Sequence, residues 1–403
     1  MRSTREIPWQ PDPRPWGTHR GEARAEWAAW SGGVVHAAIA AGGMGNPAHE
    51  GEAEAPTTAA DGAERTVSET HPATTTRPTP LPTARGEVSG ALVDALVREP
   101  GRATLPDGRS LREADPYGDD PQLALYMCYE LHYQGFSGVD DAWEWDPELL
   151  RMRQALERRF LDALRSDATT HDDPDAAVSG LLVEPADGTG VSHFLRDEGE
   201  LWQLREYIAH RSLYQLKEAD PHVWVLPRLR GRAKAAMAAV EYDEFGAGHG
   251  DRVHAELFAD LMADLGLDPA YNHYLDATSA RMLAVVNMMS LLGLHRALRG
   301  ALVGHFATVE ITSSPASDRL AQALRRLGAG EAAVFFYTEH VEADAVHEQV
   351  VRHGVIDDLL KREPGLAADV AFGVDATVFL EDRFADEVLD TWRKGRSSLR
   401  VPL

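Results

Sequence analysis

From Val88 to the end of the chain, apolar residues recur at spacings of three and four, and no stretch of convincing length alternates apolar with polar. That periodicity restricts the chain to an all-α fold more firmly than any other feature it has. It is clear in "VSGALVDALVRE" and "PQLALYMCYELHYQGF". "DPELLRMRQALERRFLDALRSD" adds a helix start, because Asp before Pro is good N-cap and first-turn chemistry. Further helices are predicted over about 191–217, 229–245, 251–265, 275–312, 316–328, 331–360 and 375–394. "AAVFFYTEHV" is the nearest approach to a strand, but its continuation is helix-periodic. No internal repeat is visible. About ten helices are too many for a simple four-helix bundle.

The stretch before that domain has a different composition. Residues 1–86 carry ten of the 23 prolines, and between Gly45 and Pro80 the only Val, Leu, Ile or Phe is Val67. Such a segment buries too little apolar surface to offset chain entropy, so 1–86 is read as a disordered, low-complexity arm and 87–403 as the folded domain. Within the arm, Glu22 to Ala41 is compatible with one short helix.

Charge and cysteine content narrow the function. Sixty-four acidic against 40 basic residues leave a net charge of −24. That balance argues against nucleic acid and anionic membrane as partners. No run of uncharged apolar residues is long enough to span a bilayer, and no secretion signal is evident at the start. The single cysteine, Cys128, excludes a disulfide framework and any cysteine-cluster metal site. These features predict a cytoplasmic protein acting on a small molecule, and they allow a homodimer. A metal would have to be held by His and carboxylates.

Such residues are present. In "YTEHVEADAVHEQVVRH", His340, Asp344 and His347 stand at i, i+4 and i+7. At about 100° per residue they fall within roughly 60° on one helix face. Two imidazoles and a carboxylate suit Fe, Mn or Zn; the plainer reading is a solvated face of an acidic helix. In "AVEYDEFGAGHGDRVHAELFADLM", a helix ending near Glu244 meets "GAGHG" and restarts with Asp251 as its expected N-cap, so Glu244 and His254 can approach one point from either side of the break. No strand precedes that glycine run, so it is no phosphate cradle, and His249 reads as an exposed loop residue. Glu218 and Glu310 are carboxylates in apolar surroundings, unfavourable unless paired, ligating or reaching water.

In order, Glu218, Glu244, His254, Glu310, His340, Asp344 and His347 resemble the ligand set of the haem-oxygenase-like diiron oxidases, also described as iron-containing redox enzymes. The intervals are most similar to those of the guanidine N-oxygenating members, and the resemblance covers about residues 120–395. It implies a haem-oxygenase-like helical domain, two Fe2+ ions with O2 as co-substrate, and N-oxygenation of an amine or guanidine, with oxidative C–C cleavage or decarboxylation of an amino or fatty acid as the alternative. The four carboxylates would balance the charge of two Fe2+ ions, and three imidazoles would complete a mixed N/O set. Other readings fit less well. A ferritin-like site wants E-x-x-H pairs, and here the pairs begin with Asp251 and Asp344. A zinc protease needs H-E-x-x-H. Thiaminase-type chemistry needs a nucleophilic Cys, whereas Cys128 lies in an apolar helix and reads as core. A non-catalytic helical interaction protein is the remaining alternative. For a cationic substrate, Glu339, Glu342 and Tyr337 flank the metal-binding helix; for a carboxylate substrate, Arg281 and Arg296 are the available cations.

Overall fold

Among the described residues, every regular element of the computed structural model is helical, as the periodicity predicts. The structure describes residues 79–403 apart from 103, 107, 169 and 184–187. The proposed helix at 22–41 and the arm as far as residue 78 lie outside that range. Residues 79–86, read from sequence as the end of the arm, lie against the domain instead. Thr79 Oγ1 donates to the Tyr271 carbonyl at 2.6 Å, and the buried Arg85 guanidinium donates to the carbonyls of Leu275 and Thr278 at 2.7 and 2.9 Å. A low apolar content did not prevent docking because polar groups of these residues hydrogen-bond to the domain.

Ten of the described helices have ten or more residues: α1 Glu87–Leu96, α2 Asp119–Glu130, α3 Pro147–Asp167, α4 Leu201–Gln215, α5 Gly231–Glu244, α6 His254–Asp264, α7 Ala280–Leu294, α8 Arg299–Leu327, α9 Glu331–Val350 and α10 Ala367–Arg393. Asp146 caps α3 as its sequence predicts, accepting from the backbone N–H groups of Glu148 and Leu149, with Pro147 in the first turn. The helix buries Leu149, Met152, Leu156, Phe160 and Leu164, its periodic apolar stripe.

The long α8 packs along both α9 and α10, and α6 lies against α9. α8 and α10 meet backbone to backbone. A Cβ on Gly304 would collide with the Val370 carbonyl, and one on Gly373 with the Ala301 carbonyl. Only glycine permits that approach.

Some boundaries differ from the periodic reading. The predicted helix 191–217 divides into Val191–Asp197 and α4, and 275–312 divides at His295, where the backbone becomes extended. Conversely, the break expected near Pro315 is absent, and Pro315 lies inside α8. Proline removes one backbone hydrogen bond, but α8 is fixed on two sides. Ser314 Oγ also donates to the Val341 carbonyl of α9 at 3.1 Å. α6 begins at His254 rather than at Asp251, after two short 3-10 turns. Beyond α9 the chain widens into a π-turn, Val351–Ile356, before the short helix Asp357–Arg362. No described helix is long and apolar enough to cross a membrane.

Candidate metal centre

Five chain segments deliver the seven candidate ligands. Glu218 sits in the turn after α4, Glu244 is the last residue of α5, and His254 is the first of α6. Glu310 comes from α8, and His340, Asp344 and His347 from the face of α9 that packs inward. Gly246 makes the α5–α6 connection possible. It has a φ of 70°, and a Cβ there would stand 2.6 Å from the Arg252 carbonyl carbon, so the sharp reversal needs glycine. His249, on the outside of the reversal, is exposed as expected.

The ligand atoms form two groups. Glu218, Glu244, His254 and His340 each offer an atom within 4.8 Å of the others, and so do Glu244, Glu310 and His347. Glu244 is common to both. Its Oε2 lies 2.7 Å from His254 Nδ1 and its Oε1 3.5 Å from His347 Nδ1. His254 and His340 lie ring against ring at 4.4 Å, and His340 Nε2 is 4.0 Å from Glu218 Oε2. Asp344 belongs to neither group, but its Oδ1 is 3.6 Å from His347 Nδ1.

Two histidines are aimed by groups behind them. His340 Nδ1 bonds the Phe336 carbonyl one turn earlier at 2.7 Å, which leaves Nε2 facing the centre. His347 Nε2 bonds Asp243 at 3.0 Å, while Nδ1 faces Glu310 at 3.1 Å. Asp243 was not singled out from the sequence.

The donor set fits a metal on its own geometry. His340 Nε2 and Asp344 Oδ2 are buried without a hydrogen-bond partner, an arrangement that is unfavourable unless a cation supplies one. Protonation shows the same demand. Burial pushes the Glu310 carboxyl up to about 8. Burial opposes a proton on His254, but Glu244 outweighs it and raises the imidazole to about 9. His347 is raised in the same way by Glu310, Asp243 and Asp344 against burial. Protons thus occupy a site whose carboxylates need positive charge.

Other residues near the centre serve packing and charge. Lys217, next to Glu218, is fully buried, pairs with Glu130, and sits 4.6 and 4.4 Å from the ring centroids of Tyr126 and Tyr133. Cys128 is buried, and burial pushes its thiol up to about 12, consistent with a core residue. Of the proposed substrate contacts, Glu342 is exposed and Tyr337 is buried. Arg281 lies 3.6 Å from Glu387, and Arg296 is exposed in a cleft with Arg228, Arg230, Arg299 and Arg362.

The chain is similar to known iron-containing proteins over this region. Residues 205–382, which include all seven candidate ligands, match the model of a family described as iron-containing redox enzyme. The chain is also similar to nitrosourea synthase of Streptomyces achromogenes subsp. streptozoticus, 24% identical over 233 residues, which is 56% of this chain and 50% of that enzyme. The chain thus spans about half the length of the curated relative it matches.

Proposed function

We propose that this chain is a cytoplasmic, O2-dependent non-haem diiron oxygenase of specialised metabolism that N-oxygenates an amine or guanidine. The presence of Glu244 in both groups of candidate ligand atoms carries the reading, because two adjoining sets of carboxylates and imidazoles would suit two divalent ions. Glu218, Glu244, His254 and His340 would hold one iron; Glu244, Glu310, Asp344 and His347 would hold the other. Bound iron(II) supplies the electrons with which O2 is activated for insertion of oxygen into a substrate. The mixed N/O donor set contains no thiolate for an oxidant to consume. The match to an iron-containing redox family supports the metal, and a relative named for making a nitrosourea, a compound with an oxidised nitrogen, supports nitrogen as the atom attacked.

The chain's own groups do the preparatory work. Phe336 and Asp243 fix the ring orientations of His340 and His347, so their donor atoms are aimed before metal arrives. Loading the centre displaces the protons held by Glu310, His254 and His347. Burial of the ligands keeps water from the reacting atoms.

Anaerobic reconstitution with Fe(II) tests the reading. Up to two irons per chain are expected, with O2 uptake accelerated by an amine or guanidine. Stoichiometric zinc that iron cannot displace argues against redox chemistry. Acceleration by a fatty acid alone, with alkene and CO2 as products, replaces N-oxygenation with oxidative decarboxylation.

A further inference from the structure

Glu241 lies on α5, three residues before Glu244 and therefore on the same side of that helix. It is 2% exposed, and neither carboxyl oxygen has a hydrogen-bond partner. It belongs to neither group of candidate ligands. The groups that act on it most strongly are Glu244, Glu310, Asp220 and Glu218, all acids, and together with burial they raise its pKa well above the ordinary value. Two Fe2+ ions would be balanced by Glu218, Glu244, Glu310 and Asp344, so Glu241 remains without a counter-charge even in the loaded centre.

A buried carboxyl with no partner is unfavourable whether charged or neutral, since the protonated form also leaves a donor unsatisfied. A group from outside the folded chain, water or ligand, would complete it. We propose that Glu241 binds a protonated amine or guanidinium group of the substrate beside the metal centre. This rests on the oxygenase reading above and specifies how that enzyme selects its substrate. An ammonium offers three donors and a guanidinium five, whereas a fatty-acid carboxylate offers none and would add a further negative group beside these acids. Asp220, half-buried on the short helix Asp220–Val223, is a further acid near enough to act on Glu241. The cations that a carboxylate substrate would need are otherwise placed: Arg281 faces Glu387, and Arg296 lies exposed in the arginine cleft.

Calorimetry on the anaerobic, Fe(II)-loaded protein decides the point, with arginine and agmatine as cationic probes and citrulline as arginine's neutral isostere. Wild type is expected to bind at least one cationic probe about tenfold more tightly than citrulline. Glu241→Gln is expected to weaken cation binding about tenfold, with citrulline binding and iron content unchanged. Glu241→Asp, which keeps the charge, is expected to fall between them and covers the case of a misfolded amide variant. Equal cation affinity in wild type and Glu241→Gln overturns the inference. Loss of an iron from Glu241→Gln also overturns it, by making Glu241 a ligand. O2 uptake in the same samples separates the two readings. Charge-selective binding without O2 uptake removes the oxygenase reading and leaves the cation site. Uptake stimulated equally by the cations in both proteins removes the cation site and leaves the oxygenase.

Discussion

Asp243 stands 3.0 Å behind His347 and fixes which ring nitrogen faces the metal centre. The two residues are 104 positions apart, so the contact ties α9 to the end of α5 at the site. Such partners orient the ring and increase its basicity as a ligand. Asp243→Asn is expected to lower iron affinity at the Glu310–His347 position by about 10–100-fold, leaving the His254–His340 position nearly unchanged. Anaerobic Fe(II) titration checks this, and a uniform loss at both positions contradicts it.

The metal-free protein has an alkaline weakness. Glu310 rises from 4.5 to about 8 and His254 from 6.5 to about 9 on folding. A raised value means the stabilisation is complete below the unfolded value and is lost as pH climbs through the folded one. Burial acts oppositely on His210 and His305, pushing them down from 6.5 to about 3 and about 4, so their contribution is lost as pH falls through that range. The metal-free melting temperature is expected to peak near neutrality and to fall between pH 7 and 9. Metal loading, which replaces the protons, should flatten the alkaline limb. Differential scanning calorimetry of both forms checks this, and a flat metal-free limb refutes the proton count.

Gly304→Ala and Gly373→Ala are each expected to destabilise the domain by about 3 kcal/mol, because overpacking forces α8 and α10 apart along their closest contact. Chemical denaturation measures the change. Since Glu310 lies on α8 beyond Gly304, iron content should also drop in Gly304→Ala, and normal loading there would show that the helix seam is independent of the site.

Lys217→Met leaves the buried Glu130 without its cation, with only the Tyr271 hydroxyl and the Gln134 backbone N–H donating to it, a change expected to destabilise by about 3–5 kcal/mol. Adding Glu130→Gln should restore most of the loss. Urea unfolding of the two single variants and the double variant checks this, and additive losses would show that the pair is not coupled.

The helices and most of the candidate ligands were legible for a common reason: each follows from local spacing. His340, Asp344 and His347 share a face by arithmetic, and Glu218 and Glu310 stand out as charges in apolar surroundings. What escaped depends on contacts across the chain. Asp243 and Glu241 sit in "EYDE", which reads as ordinary acidic helix; the i, i+3 pair Glu241 and Glu244 was the one local signal that this turn faces inward. Pro315 misled the boundary because packing of α8 against α9 and α10 outweighs a local breaker. Lys217 gave no signal because its partner Glu130 lies 87 residues earlier.

The π-turn after α9 divides one rod into two angular phases. His347, Val351, Val355 and Leu359 are all buried at four-residue steps, a spacing that an unbroken α-helix would rotate steadily out of the core. The wide turn at Val351–Ile356 absorbs that rotation. The ligand-bearing part of the rod can thus keep its own orientation toward the metal while Leu359 keeps another toward the core. Removing one residue at exposed His353 would merge the phases and force the two ends to compete for one rotational setting.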